Sequence, residues 1–396
     1  GAHVGARPPW LTRPPFARIM VAALSAASWV YESSTDTLGE RNMTNDIVRV
    51  GILGQGRSGR DIHAEYLKDD PRFRIVAVAD VLADRRERAE EEYGCASHAD
   101  YRDLLARDDL DLVVNALPSY LHAPVSTEIL NGGHNVLCEK PLARRAAEVD
   151  EMIAAAERSG KTLAIFQQSR FAPYFQEVRR VIDTGVLGRV VAIKIRFNGY
   201  ARRWDWQTLQ EMAGGSLLNT GPHPMDQALQ LLDYDGMPNV WCHMECVNVY
   251  GDAEDYVKCI ITAPERPLID LEISSCDAYP QYTYQLQGSQ GGLAGTTKHL
   301  DWRFFDPAEA PEQTLIREPL PGPSYCRETL PWQEGSWDLP AEQEDLFHTM
   351  SGKIYSNLYE TLTAGAPLVV TPQQVRQQIA VIEECHRQNP LPRLGE

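Results

Sequence analysis

The sequence lacks several patterns that would assign it to common functional classes. Its eight cysteines include no Cys-x-x-Cys pair and are scattered along 396 residues, which is not the spacing of a zinc module or a disulfide framework. No apolar run reaches the roughly 18 residues that a membrane-spanning helix needs. We therefore expect reduced cysteines, no metal site and no membrane partner.

Basic residues are also scarce. Lys and Arg number 38 against 55 Asp and Glu, which gives a net charge of −17. A surface this acidic repels phosphate backbones and anionic lipid head groups, and no local basic stripe offsets it. These observations exclude nucleic acid as a partner and favour an uncharged small molecule over a phosphorylated one. A length of two to three times roughly 150 residues predicts about two domains.

One short cluster, Cys242-His243-Met244-Glu245-Cys246, contains metal-ligating residue types. It lies in an apolar stretch in which period-two alternation puts Cys242, Met244 and Cys246 on one face and the other two residues on the opposite face. The pattern indicates a strand rather than a metal site.

The first 46 residues differ from the rest, and we treat 1–46 as an N-terminal extension. Arginines and two Pro-Pro pairs precede a short apolar run, Ile19–Tyr31. Tag residues, an upstream start before Met43 and a docking arm on a partner are three explanations. A secretory signal is a fourth. The unpaired cysteine pattern leads us to expect a cytoplasmic protein, and the signal explanation leaves a secreted or periplasmic one as the alternative.

Residues 47–166 alternate apolar runs with helical stretches, which is typical of a parallel sheet covered by helices on both faces. We expect an α/β Rossmann domain in this segment. The predicted strands are Ile47–Leu53, Phe73–Ala79, Leu110–Ala116, Val136–Cys138 and Thr162–Phe166, and the predicted helices end near Lys68, span Ala83–Tyr93 and span Ala143–Ser159.

Residues 167–396 have a different texture, because strand-like runs follow one another with turns between them. We expect an α+β domain with an open, mainly antiparallel sheet that serves substrate binding and oligomerisation. The proline-rich segment 306–340 predicts an extended excursion over the surface. The predicted strands are Val190–Phe197, Val240–Tyr250, Tyr256–Thr262, Leu268–Ser274 and Tyr282–Gln287, and two helices, Glu342–Ala364 and Pro372–Arg387, close the chain.

A glycine motif, G-x-G-x-x-G, follows the first predicted strand and opens a helix, so its backbone amides can approach a dinucleotide pyrophosphate. Asp80 ends the second predicted strand, 21 residues after the motif, where a carboxylate binds the adenosine ribose and repels a 2′-phosphate. We therefore expect NAD, with NADP the lesser alternative because arginine follows Asp80. The predicted cofactor residues in this part are Gly54, Gln55, Gly56, Arg57, Ser58, Gly59, Asp80 and Arg85.

Two further motifs carry candidate catalytic residues. Glu139-Lys140-Pro141 follows a buried strand at the edge where doubly wound sheets bind ligands, and burial would make the lysine useful as an acid or base. Asn219 and His223 follow a glycine pair and are four residues apart, on one face of a helix. A surface ion pair and a structural histidine are the alternatives.

The order of these motifs resembles the glucose-fructose oxidoreductase / inositol dehydrogenase (Gfo/Idh/MocA) family, from about Ile47 to the end of the chain. The resemblance implies NAD(P)-dependent oxidation or reduction of sugars, inositols and related polyols. It also implies a Rossmann domain followed by an open sheet that forms a homodimer or homotetramer. The matching segments are Gly54–Gly59, Asp80, Asn115–His122, Glu139-Lys140-Pro141, Gln168–Phe171 and Gly214–His223.

The resemblance also assigns roles to individual residues. Lys140 would assist proton transfer and touch the nicotinamide ribose, Glu139 would order its turn, and His223 would lie near the reacting carbon. Asn219 stands where many members have aspartate, and an amide cannot accept a proton. The loop that would contact the cofactor departs from the usual Thr-Pro-Asn, and its predicted cofactor residues are Leu117, Ser119 and His122.

The sequence leaves the substrate and the reaction direction open. Aromatic faces beside charged groups suit a sugar, whereas a packed pair of core tryptophans is the alternative. A nucleotide-binding sensor that lost its proton relay at Asn219 is the competing function, and an enzyme that recycles tightly held NAD is a third. The predicted substrate residues are Gln168, Arg170, Tyr174, Arg203, Trp204 and Trp206.

Overall fold

A computed structural model describes residues 47–320 and 325–395. The first of its two sheets has six parallel strands in the order β3-β2-β1-β4-β5-β6. In such a sheet the crevice for a ligand opens at the carboxyl ends of β1 and β4, where the strand order reverses. The strands are β1 (Val48–Leu53), β2 (Phe73–Ala79), β3 (Ala96–His98), β4 (Leu112–Asn115), β5 (Val136–Cys138) and β6 (Leu163–Ile165).

Helices cover both faces of this sheet, so its central strands are buried almost throughout. A wide helical turn, Arg57–Ala64, leads into the first short helix. The helices are α1 (Glu65–Leu67), α2 (Ala83–Tyr93), α3 (Tyr101–Leu105), α4 (His122–Asn131) and α5 (Ala146–Ser159).

The second sheet has eight strands in the order β14-β13-β12-β11-β7-β10-β9-β8. All neighbouring pairs are antiparallel except β7 and β10, which run parallel. The strands are β7 (Val190–Asn198), β8 (Asn239–Glu245), β9 (Tyr256–Thr262), β10 (Leu268–Ser274), β11 (Tyr284–Gly288), β12 (Gly291–Gly295), β13 (His299–Phe304) and β14 (Gln333–Asp338).

Five further α-helices follow the first sheet in the described part of the chain. Helices α8 and α10 pack on it and bury one of its faces, so burial alternates along β9 and β10. The helices are α6 (Pro173–Asp183), α7 (Ser216–Asn219), α8 (Pro222–Leu232), α9 (Leu346–Ala364) and α10 (Pro372–Gln388). Among the residues described, no helix is long and apolar enough to span a membrane.

The predicted fold class is confirmed, and several predicted elements need correction. The segment 306–340 is not only an excursion, because β14 lies within it and forms the edge of the second sheet. Strands β3, β12 and β13 were not predicted; β12 is Gly-Gly-Leu-Ala-Gly and offers little alternation to detect. Cys246 lies beyond the end of β8 and is exposed, contrary to the expected strand face. The predictions for 1–46 lie outside the described residues.

Helix α9 packs against the first sheet although it follows the second in the chain. The ring of Tyr355 is fully buried and stacks on Tyr66 at 5.1 Å between centroids. Phe73 and Phe166 contact the same ring at 5.3 Å and 6.0 Å. Helix α9 thus completes the core around the first sheet.

Candidate functional site

The glycine-rich turn after β1 has no room for side chains at two positions. Gly54 has a φ of +87°, and a Cβ there would lie 2.6 Å from the carbonyl oxygen of Ala116. A Cβ on Gly59 would lie 1.8 Å from the carbonyl oxygen of Gly54. The turn can therefore bring the helix that starts at Arg57 close to the strand and direct its free amino-terminal N–H groups toward a ligand.

Asp80 lies beside this turn at the end of β2. Its carboxylate accepts the main-chain N–H groups of Gln55 at 2.8 Å and Leu82 at 2.9 Å. The guanidinium of Arg85 donates to the same carboxylate at 3.3 Å. Asp80 is thus fixed at the place where a ribose would meet the strand ends, with a cation beside it.

A cleft of about 470 Å³ opens above the carboxyl ends of the first sheet. It brings together most of the predicted cofactor residues, whereas Gln55 is buried next to it and Gly59 is buried under the turn. The side-chain-free turn and the oriented carboxylate fit a dinucleotide. The predicted residues that line the cleft are Gly54, Gly56, Arg57, Ser58, Asp80, Arg85, Leu117, Ser119, His122, Glu139, Lys140, Trp206 and Asn219.

Glu139 is a buried anion beneath the cleft. One carboxylate oxygen lies 3.2 Å from Nε2 of His63, whose Nδ1 lies 2.8 Å from the hydroxyl of Tyr355. The other oxygen accepts the main-chain N–H of Lys140 at 3.0 Å. Burial opposes ionisation of Glu139, but His63 and then Lys140 outweigh it and lower the pKa of Glu139 to about 2. The carboxylate therefore anchors the turn that carries Lys140.

Lys140 extends from this turn into the cleft. Its Nζ donates a hydrogen bond of 3.0 Å to the main-chain carbonyl of Asn219. Burial lowers the pKa of Lys140, the negative charge of Glu139 opposes that shift, and Arg57 and Arg203 lower the pKa further. A lysine with a lowered pKa can lose its proton and then act as a base. Because residue 219 contributes its carbonyl, this contact does not depend on whether its side chain is an amide or a carboxylate.

His223 is the second residue of α8, whereas Asn219 ends α7, so the prediction that the two share one face of a single helix is wrong. Burial and then the charge of Lys140 lower the pKa of His223 to about 3, so its ring is neutral at physiological pH. Its Nδ1 is a buried atom that finds no hydrogen-bond partner among the described residues. A buried polar atom in this state suits a bound ligand that supplies the missing partner.

Three of the predicted substrate residues lie in the core rather than in the cleft. Arg170 is 3% exposed, and its guanidinium bonds both carboxylate oxygens of Asp226 and the carbonyl of Val369. Tyr174 is buried against the ring of Tyr284. Gln168 is likewise buried. None of the three lines the cleft, and the side chains of Arg170 and Tyr174 join α6, α8 and the start of α10. Contact of these three residues with a substrate stays a prediction.

The other three predicted substrate residues are on the surface near the cleft. Arg203 is paired with Asp205 at 2.8 Å. Trp204 is 77% exposed, and Trp206 is 37% exposed and lines the cleft. The alternative of a packed tryptophan pair is therefore wrong, and Trp206 lines the cleft together with Tyr120.

Glu254 has a structural role that the sequence did not reveal. Its buried carboxylate accepts the main-chain N–H of Leu217 at 2.9 Å, and its carbonyl accepts the N–H of Ser216 at 2.8 Å. These bonds cap the start of α7, the short helix that ends at Asn219. Gly215 has a φ of +107°, and a Cβ there would lie 2.3 Å from the Glu254 carboxylate. Glu254 thus positions the carbonyl that holds Lys140.

We expect Glu254→Ala to lower the rate of the NAD(P)-dependent oxidation or reduction that the family resemblance implies about tenfold or more. The reason is that α7 loses its cap and Lys140 loses a fixed acceptor. Glu254→Gln should restore most of the rate, since its amide oxygen can still accept the N–H of Leu217. Steady-state kinetics and NAD titration check this, with NAD affinity expected to stay unchanged. A rate in Glu254→Ala equal to that of the unmodified protein would contradict the positioning role.

Comparisons with known proteins agree with this geometry. Residues 48–167 match the family model described as an oxidoreductase family with an NAD-binding Rossmann fold, GFO_IDH_MocA. Residues 175–294 match the model for the GFO/IDH/MocA C-terminal domain. The two models together span both sheets up to β12.

Curated relatives with printed activities are sugar and inositol enzymes. A putative UDP-kanosamine synthase oxidoreductase subunit of Amycolatopsis mediterranei is 35% identical over 47% of this chain and 52% of its own length. D-glucoside 3-dehydrogenase of Escherichia coli is 31% identical over 51% of this chain and 58% of its own length. An NADP(+)-dependent scyllo-inositol 2-dehydrogenase of Bacillus subtilis is 24% identical over 85% of this chain and 92% of its own length. The chain spans less than two thirds of the length of the first three curated relatives that it matches.

Solved structures share the fold. The WlbA dehydrogenase from Bordetella pertussis, solved with NADH and UDP-GlcNAcA, superposes with a TM-score of 0.67 at 20% identity, over 89% of this chain and 99% of that one. The probable oxidoreductase yhhX superposes with a TM-score of 0.71 at 18% identity, over 88% of this chain and 100% of that one. With both domain models matched and the motifs assembled in one cleft, the chain belongs to the Gfo/Idh/MocA family of oxidoreductases with an NAD-binding Rossmann fold.

Proposed function

We propose that the protein is an NAD-dependent dehydrogenase that transfers a hydride between nicotinamide and a sugar, inositol or related polyol. The observation that carries the proposal is the position of Lys140, whose Nζ lies in the dinucleotide cleft, 3.0 Å from the carbonyl of Asn219. The neighbouring His223 offers a ring nitrogen that has no partner among the described residues. A lysine whose lowered pKa lets it lose its proton can act as the base in alcohol oxidation, and an unpartnered imidazole nitrogen can hydrogen-bond the reacting oxygen.

The chain's own residues divide the work in this proposal. Bound NAD supplies the hydride acceptor at its nicotinamide ring. Lys140 in its neutral form takes the proton from the substrate hydroxyl, and Asn219 holds Nζ in place through its carbonyl. His223 is neutral and hydrogen-bonds the substrate oxygen. Glu139 stays ionised and fixes the backbone of Lys140.

Oxidation of a polyol panel with NAD, followed at 340 nm, tests the proposed function. We expect NADH to accumulate with at least one uncharged sugar or inositol. Binding of NAD without turnover across the panel would instead support a nucleotide-binding sensor. The observation that favours this alternative is Asn219, because its side-chain amide cannot accept a proton. Copurified NAD with no net NADH would support the enzyme that recycles its cofactor.

Asp80 is the residue that we propose to select NAD over NADP. Asp80→Ala should weaken binding of NAD about tenfold, the loss of roughly one hydrogen bond to a charged group, and should raise the relative affinity for NADP because Arg85 is freed. Fluorescence titration with both nucleotides checks this. Asp84→Ala, which removes an exposed carboxylate on α2, is the control. An unchanged NAD/NADP ratio would remove Asp80 from the binding site.

We further propose a homodimer or homotetramer in the cytoplasm. A hollow on β11–β14 has both polar and aromatic residues in its lining, among them Trp302, Phe305 and Trp332, and large aromatic side chains suit an interface with a second copy of the chain. All eight cysteines are free thiols, as in proteins of reducing compartments. Light scattering should give a mass of at least two chains, and a monomer would contradict the proposed assembly.

A further inference from the structure

Three cysteine sulfurs meet in the core of the second domain, far apart in sequence. Cys242 in β8 lies directly opposite Cys259 in β9, and their Sγ atoms are 3.4 Å apart. Cys385 in α10 places its Sγ 3.5 Å from that of Cys259. All three sulfurs lie within 4.8 Å of one another, and all three side chains are buried. The sequence spacing does not predict this group, because Cys259 is 17 residues from Cys242 and 126 residues from Cys385.

The distances between the sulfurs match a metal site better than a disulfide. A disulfide needs about 2.05 Å between its sulfurs, well below the separations seen. Three thiolates bound to Zn²⁺ at about 2.3 Å, with tetrahedral angles, lie about 3.8 Å from one another. Two of the three separations, those from Cys259, are within a few tenths of an ångström of this value, and the third is at most 4.8 Å.

The elements that carry the sulfurs are held together by polar contacts as well as by packing. Gln388, at the end of α10, accepts the N–H of Cys242 at 2.9 Å and donates to the carbonyl of Val240 at 2.7 Å. Asn389 accepts the N–H of Met244 at 3.1 Å and donates to the carbonyl of Cys242 at 3.0 Å. These bonds clamp α10 to β8, so the three thiols are preorganised rather than brought together by an ion.

We propose that Cys242, Cys259 and Cys385 bind one thiophilic metal cation with a filled d shell, Zn²⁺ or Cu⁺. Each thiol releases its proton to solvent as its sulfur bonds to the metal, with no change in oxidation state. Cu⁺ fills a trigonal site of three thiolates, whereas Zn²⁺ takes one ligand more. The ion ties α10 to the second sheet and is separate from the dinucleotide cleft.

Metal binding to the intact protein tests the site. The protein is stripped with a chelator under reducing conditions, then incubated with Zn²⁺ or, without oxygen, with Cu⁺, and desalted before its metal content is measured. We expect about one ion of one of these metals per chain. The separate incubations with Zn²⁺ and with Cu⁺ identify which metal binds. A Co²⁺ replacement should add a sulfur-to-cobalt charge-transfer band, a signal that merely packed thiols do not give.

Cysteine variants locate the ion. Cys385→Ser and Cys242→Ser should each reduce the affinity for the metal at least 100-fold, and the metal should raise the melting temperature of the unmodified protein but not of these variants. Cys95→Ser and Cys326→Ser, away from the group, should bind as before. Because the unmodified protein is measured first, a metal content well below one ion per chain for both metals would overturn the proposal even if the variants fold poorly.

Discussion

Replacing Lys140 with methionine should lower turnover by about 10²- to 10⁴-fold, the usual contribution of a general acid or base. Methionine keeps the apolar length of the side chain but has no nitrogen to take the hydroxyl proton or to bond the carbonyl of Asn219. NAD should still bind, because the glycine turn and Asp80 are untouched. Single-turnover kinetics and NAD titration measure the two effects separately.

The pH dependence of this variant gives a second readout. Burial lowers the pKa of Lys140, so polyol oxidation in the unmodified protein should rise with pH as the lysine loses its proton, and the rise should lie below the usual range of lysine. The Lys140→Met variant should lack that rise. Lys298→Met, at an exposed lysine of the second domain, is the control. Unchanged turnover in Lys140→Met would remove Lys140 from the reaction.

Replacing Arg170 with methionine should lower the free energy of unfolding by about 3–5 kcal/mol, because the buried carboxylate of Asp226 loses the guanidinium that it bonds directly. Both oxygens of Asp226 bond the guanidinium, and the two side chains are 3% and 2% exposed. Burial raises the pKa of Asp226 while Arg170 opposes that shift. Urea denaturation at neutral pH measures the loss.

The pH dependence of the free energy of unfolding distinguishes an unpaired buried carboxylate from lost packing as the cause of the destabilisation. Without Arg170 the raised pKa of Asp226 rises further, so lowering the pH protonates the carboxyl and reduces the deficit of the variant. Arg170→Met combined with Asp226→Leu should recover most of the stability, since no buried charge remains. Arg376→Met breaks the exposed pair with Asp150 and should cost about 0–1 kcal/mol. An equal cost for Arg170→Met and Arg376→Met would contradict the prediction.

The nucleotide-binding half could be predicted well because its signals are local. The G-x-G-x-x-G turn, the strand that precedes it and Asp80 each depend on residues close in sequence, and α2 was predicted with the bounds that it has. The Glu-Lys-Pro turn likewise indicated a buried lysine at the sheet edge. Periodicity and turn chemistry determine such features directly.

Features that depend on distant contacts could not be predicted from the sequence. Arg170 has the residue type of a substrate contact, and only the fold shows that Asp226 neutralises it. Glu254 caps a helix that begins 38 residues earlier in the chain, and His63 meets Tyr355 across 292 residues. No spacing rule covers these pairs, because the tertiary fold decides which side chains meet.

The burial of Tyr355 among Tyr66, Phe73 and Phe166 limits how the chain can be recombined. A chimera that joins the first sheet to a foreign partner domain at residue 166 leaves this aromatic pocket without its central ring. Such an exchange must also keep α9, which follows the second sheet in the chain. An exchange of the second sheet alone should therefore lower the stability of the first, because the buried rings around Tyr355 would lose their packing partner.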